Sequence, residues 1–298
     1  MTPRTLHAAL IAATLTPLAH SASSRACADD HADGLIAATD AWHARRIERL
    51  TAPDGWLTLV ALESLEPGRN AVGRAPDALV RYDNFPDDHI GDFILEGESI
   101  RFEAAPGVAI EGLPADGVIR TDAQPDTTEL ALGGIRFYVI ERAGRPMVRI
   151  KDAAAPTRIN FTGIERFPVD ASWVITAPFE PAPASSSERV DTVIGLEVET
   201  EVTGYVRFER DGVAVRPALY SDGAGGSLLR FADATSGRST YGAGRYLTVQ
   251  HNDDGTVTLD FNRAYNPPCA FTPYGTCTIP TRANTFPFPV TAGERWDD

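Results

Sequence analysis

Four turn signals constrain the fold more tightly than anything else in the chain. FILEGESIRFE reverses around Glu96-Gly97-Glu98, TELALGGIRFYVIE around Gly133-Gly134, YVRFERDGVAVRPALY around Asp211-Gly212, and YLTVQHNDDGTVTLDF around Asp254-Gly255. In each, runs rich in Val, Ile, Phe, Tyr and Thr flank residues that reach positive φ at little cost, as a tight hairpin between right-twisting strands requires. The chain is therefore expected to be all-β, an antiparallel sandwich or partly closed barrel. A single helix is expected at the N-terminus, from Asp33 to Leu50, with Leu35, Ile36, Trp42, Ile47 and Leu50 near one face and Pro53-Asp54-Gly55 ending it. At 298 residues and 43% hydrophobic content the chain can bury a full core. Residues 29–53 read as the helical segment and 54–298 as the β domain. Within the latter, EPAPASSSE at 180–188 is either an exposed loop of one unit or the seam between two halves.

Residues 1–28 have the layout of an export signal: Arg4 in a short polar start, an apolar run from Leu6 to Ala19, then small residues that permit cleavage. Cleavage after Ala28, by the Ala26-Cys27-Ala28 pattern, is favoured over cleavage after Ser21 or Ser23; an uncleaved anchor and a lipid on Cys27 are the alternatives. The apolar run is shorter than the ~20 residues of a membrane span, so no stable span is expected in the mature chain. A periplasmic or extracellular location follows. The two cysteines that remain, Cys269 and Cys277, are expected to form a disulfide in an oxidising compartment, the rival role being a catalytic thiol.

The formal net charge of -14 argues against nucleic acid or an anionic membrane surface as a partner. No G-x-S-x-G elbow, S-x-x-K, H-E-x-x-H, phosphate loop or full dinucleotide fingerprint occurs, and the histidines beyond the leader, His31, His43, His89 and His251, are scattered. Neither a metal nor another cofactor is expected.

The polar residues that could carry chemistry crowd into Phe231–Cys277. If TVTLDFN is one strand, Asp260 and Asn262 share a face, toward solvent or toward a pocket. In STYGAGRYL, Tyr241 and Arg245 flank two glycines, and Arg245 could grip a carboxylate or phosphate or be tied structurally to Asp233 or Asp260. Tyr265 and Asn266 precede Pro267-Pro268, which stiffens the chain beside Cys269. Farther upstream, RAGRPMVRIKD sets Arg149 and Lys151 on one side of a strand, facing an anionic ligand or solvent.

The stretch LDFNRAYNPPCAFTPYGTC resembles the uncharacterised bacterial family catalogued as domain of unknown function 1684. DGWLTLVALESLEPGRNAVG, RAGRPMVRIKD, FTGIERFPVD and the tail at Asn284 and Ala292-Gly293-Glu294 extend the resemblance over most of residues 54–294. Ser64, Thr281 and Ala283 depart from the family's pattern. The resemblance implies no activity, but it tips the polar set toward a pocket. Two functions are then expected. The first is a hydrolase acting on an oxygen-rich substrate, a glycan or ester, through Asp233 and Asp260 with Tyr241 and Arg245 assisting. The second is a non-catalytic β module that binds an anionic small molecule or glycan through Arg245 and Arg149, with Asn262, Tyr265 and Asn266 lining the site. Convergence of Asp233, Tyr241, Arg245, Asp260, Asn262 and Tyr265 on one pocket, with Arg245 meeting Asp260 across a hairpin, is common to both.

Overall fold

A computed structural model describes residues 21–296, with side chains from Ala32 onward. Most of the expected leader, including the side chain of Cys27, lies outside the described residues. The expected helix is present as α1, Ser21–Thr51. Its body-facing stripe runs through Leu35, Thr39, Trp42, Arg46 and Leu50, at the spacing of one helix face, while Ile36 of the expected apolar face is 41% exposed. After a short 3-10 turn at Trp56–Thr58, the first lobe is built from β1 (Leu59–Ser64), β2 (Gly68–Gly73), β3 (Val80–Arg81), β4 (Gly91–Glu96), β5 (Ser99–Ala104), β6 (Glu129–Leu132), β7 (Ile135–Arg142) and β8 (Arg145–Asp152). These make two four-stranded sheets, ordered β1-β8-β7-β6 and β3-β2-β4-β5. One buried cluster, with Phe85, Phe93, Phe102 and Phe137 in edge contacts, joins residues of both sheets.

The short helix α2 (Pro156–Ile159) follows, and then the second lobe: β9 (Val174–Pro181), β10 (Ser187–Asp191), β11 (Glu197–Val206), β12 (Phe208–Arg210), β13 (Val213–Val215), β14 (Ala218–Ser221), β15 (Ser227–Phe231), β16 (Arg245–His251) and β17 (Thr256–Asp260). Its main sheet runs β10-β11-β14-β15-β16-β17-β9, and β9 also pairs with β11 through Phe179, Glu180 and Pro181. That extra pairing joins six strands into a ring, so the architecture is the expected antiparallel one, with a partly closed barrel as its larger half. Leu229, Phe231, Leu247, Leu259, Phe261 and Phe286 fill it. All four sequence hairpins are present, as β4–β5, β6–β7, β12–β13 and β16–β17.

The two cores part between Ile150 and Trp173, whereas 180–188 lies inside the second lobe, where it connects β9 to β10. A Pro/Ser/Ala stretch marks an exposed connection of either kind, and here it is the ordinary one. A clasp ties α1 to the second lobe: the Arg46 guanidinium pairs with the buried Glu294 carboxylate and donates to the Asn266 carbonyl at 2.7 Å, and Glu294 accepts the Asn266 N–H at 2.7 Å.

Candidate functional site

Arg245 lies at the start of β16, opposite Phe231 of β15. Gly244 before it has φ +86°, and a Cβ there would sit 2.5 Å from the Phe231 carbonyl oxygen, so the glycine serves close strand approach. The Arg245 side chain is 1% exposed, and both its Nη atoms are engaged by the chain's own acceptors: Asp233 Oδ2 at 3.0 Å, the Val290 carbonyl at 2.8 Å, and the carbonyls of Ala292 and Glu294. The other oxygen of Asp233 accepts from the N–H and hydroxyl of Thr235 and from the Val290 N–H. Burial holds the Arg245 pKa below its ordinary value even with Asp233 beside it. This pair pins the C-terminal tail across the barrel and presents nothing to a ligand.

Arg245 does not meet Asp260. The β16–β17 register, Gln250 opposite Thr258 and His251 opposite Val257, carries Asp260 to the level of Thr248. β17 ends at Asp260, whose carboxylate accepts the Asn262 N–H at 3.2 Å to cap a 3-10 turn and pairs with Arg263 at 3.1 Å. The expected alternation therefore stops before Asn262, which is buried and exchanges two hydrogen bonds with the Asp170 backbone. Tyr241 donates to the Cys269 carbonyl at 2.9 Å, and Asn266 donates its amide to the Arg295 carbonyl. Tyr265 packs under Arg46 and against Trp42. The six residues expected to converge are thus spread over the tail anchor, the β17 cap, the cysteine loop and the α1 dock.

Cys269 and Cys277 are neighbours with free thiols. The Cys269 N–H donates to Cys277 Sγ at 3.2 Å; hydrogen bonding between the thiols pulls Cys269 down and pushes Cys277 up. A Cβ at Gly275 would fall 2.9 Å from the Cys269 nitrogen, so only glycine lets the loop fold this tightly.

A cluster of arginines and aromatic rings lies beside that loop. A cavity of about 250 Å³ is lined by Trp56, Arg142, Arg230, Tyr246, Pro268, Thr276, Cys277 and Thr278. Arg230 alternates with the inward Leu229 and Phe231 on β15, so it points off the outside of the barrel. It sits cross-strand from Tyr246 and is flanked by the rings of Tyr220 at 4.8 Å and Tyr246 at 5.9 Å. Tyr246 is held by its hydroxyl, which donates to the Thr278 carbonyl at 2.9 Å. From the first lobe, Arg142 Nε and Arg149 Nη2 both donate to Thr276 Oγ1, at 3.4 and 3.2 Å, and the Trp56 ring lies 5.4 Å from the Arg149 guanidinium.

Of the three arginines here, Arg142 pairs with Asp122 at 2.8 Å, and what sets the other two apart is missing counter-charge. Among the described residues, buried guanidinium nitrogens without a hydrogen-bond partner occur at Arg149, Arg166, Arg210, Arg230, Arg245 and Arg263. Four of these arginines have a carboxylate within salt-bridge distance, but Arg149 and Arg230 have none among the described residues. Arg149 is 3% exposed, and burial lowers the Arg230 pKa. In a chain with 41 acidic side chains, these two cations have no carboxylate partner, so the described residues leave their charge uncompensated. Arg149 belongs to the set expected from sequence. Trp56, Arg142, Arg230, Tyr246 and Thr276 do not; the signal for Arg230 was a lone cation in the apolar strand SLLRF beside the signature stretch.

Residues 159–295 match the family model described as protein of unknown function (DUF1684), and the chain resembles that family over this span. The match contains the barrel and the cysteine loop, and it begins after the opening motif and after Arg142 and Arg149. No curated protein matches the chain. An uncharacterized protein of Haloarcula marismortui, solved by solution NMR, is 29% identical over 47% of this chain and 80% of its own, with a TM-score of 0.40.

Proposed function

We propose that the protein binds an anionic small molecule, as a carboxylate, phosphate or sulfate, in the cavity between the barrel and the first lobe, without catalysing its turnover. The observation that carries this reading is that buried Arg149 and half-buried Arg230, whose Nε and Nη1 atoms are enclosed, have no carboxylate partner among the described residues. Hydrolysis by Asp233 and Asp260 is less well supported, because Asp233 is spent on Arg245 and the tail, and Asp260 caps a turn. Isothermal titration at low ionic strength with citrate, phosphate and sulfate tests the proposal. Binding is expected for at least one of them, and Arg230→Met should weaken it roughly 10- to 100-fold, the equivalent of about 1.5–3 kcal/mol for hydrogen bonds to a charged group. Heat on mixing that Arg230→Met leaves unchanged would place binding elsewhere.

We read the chain as exported on the strength of its leader. In an oxidising compartment Cys269 and Cys277, already in contact, close the loop that walls the cavity. Thiol titration of denatured, unreduced protein purified from the periplasm or medium should find neither thiol; two reactive thiols would count against the bond.

A further inference from the structure

A second cavity, of about 510 Å³, adjoins the first, and Trp56 lines both. It lies between the end of α1, the first lobe and Thr248 and Tyr265 of the second, and its walls combine aromatic surface, Trp42, Trp56 and Tyr265, with the cations Arg46, Arg49 and Lys151. Arg46 is neutralised by Glu294. Lys151 donates to the Asp54 carbonyl oxygen at 2.7 Å and stands 5.9 Å from the Trp56 ring, with no carboxylate in salt-bridge distance; Arg49 likewise has no ion pair among the described residues. The one acidic side chain on the wall is Asp54. Arg149 and Lys151 fall on the same side of β8: Lys151 lines the second cavity, Arg149 lies behind Thr276 of the first, and the indole of Trp56, 41% exposed, lies 5.4 Å from Arg149 and 5.9 Å from Lys151.

We infer that the ligand is an acidic oligosaccharide whose neighbouring charged units occupy the two cavities, with Trp56 between them as a stacking surface. This rests on the anion-binding reading of the first cavity and extends it. A flat, half-exposed indole edged by cations suits a sugar ring that offers an apolar C–H face and a charged rim. Cations in both cavities call for negative charge at both ends of the ligand. A nucleoside monophosphate, with its charge at one end and a neutral base at the other, would leave Arg49 and Lys151 without purpose.

Titration calorimetry of the full chain with galacturonic acid, its dimer and its trimer tests the inference, with adenosine monophosphate as the competing probe. The trimer is expected to bind at least ~10-fold more tightly than the monomer, and in Arg49→Met/Lys151→Met the ratio of the two affinities should fall toward one. Thermal denaturation of the variant in buffer confirms that it is folded; should it prove unfolded, Lys151→Met alone carries the same comparison. Equal affinity for monomer and trimer overturns the extended site while leaving the anion site standing. Tighter binding of adenosine monophosphate than of the trimer overturns the saccharide. If no acidic sugar binds, but citrate or phosphate binds in an Arg230-dependent way, the inference fails and the underlying reading survives; if none binds, both fail.

Discussion

Arg245 and Arg230 stand fifteen positions apart, both in strands and both turned away from bulk water, yet they should respond oppositely to the same substitution. Arg245→Met removes one half of an enclosed ion pair and strands Asp233 and three carbonyls, so a loss of about 3–5 kcal/mol is expected from chemical denaturation. Arg230→Met removes a cation that has no carboxylate partner among the described residues and keeps an apolar stem against the Tyr220 ring, so in anion-free buffer stability should hold or rise. Sequence pattern could not separate them, because a strand arginine between apolar residues reads the same whether its counter-ion lies in the chain or outside it. Asp152 offers a pH test at the same scale. Burial pushes its carboxyl up, but hydrogen bonds from the Tyr82 hydroxyl, the Ala154 N–H and the Asn84 amide outweigh this and hold its pKa below the ordinary value. A lowered folded-state pKa means stability that is present above about pH 4 and lost as pH falls through the folded value. Urea midpoints measured between neutral and acidic pH should therefore fall more steeply for the native chain than for Asp152→Asn.

Among the elements, hairpins were the most legible, because Gly-Gly and Asp-Gly dictate local geometry whatever packs on the strands. The end of β17 was not. Asp260 could continue an alternating strand or cap a turn, and the choice is made by Asp170, ninety residues away in the chain, which takes Asn262 out of the alternation. α1 was legible as a helix, though its attachment was not, since Glu294 of the family-like tail gave no sign that its partner is Arg46. Replacing Glu294 with Gln weakens the charge-assisted bonds to Arg46 and the Asn266 N–H. A loss of about 1.5–3 kcal/mol is expected, together with faster amide hydrogen exchange over 39–51 than in the native chain. Unchanged exchange in α1 would show that packing of Trp42 and Leu50 suffices to hold it.

For the molecule as a whole, the proposed anion cavity is also a joint: Arg142 lines it from one lobe, Arg230 and Tyr246 from the other, and Thr276 bonds across to Arg142 and Arg149. An anion held there should stabilise both lobes together, by about 2.7 kcal/mol at a hundred times its dissociation constant, so calorimetry should show the unfolding transitions of the two cores moving upward in concert. The split into two cores was hidden from the sequence because strands of either lobe share one composition. The segment that walls the cavity has another neighbour as well. β10 hangs outside the ring of six strands, and residues 277–279 meet the C-terminal end of its far side: Ile279 donates to the Asp191 carbonyl at 2.7 Å and Val193, just past the strand, to the Cys277 carbonyl at 2.9 Å. An uncovered edge is a template for pairing with another chain. Loosening the cysteine loop would then do more than open the proposed binding site; it would uncover the C-terminal end of that edge, and aggregation would begin where the loop had kept backbone groups paired.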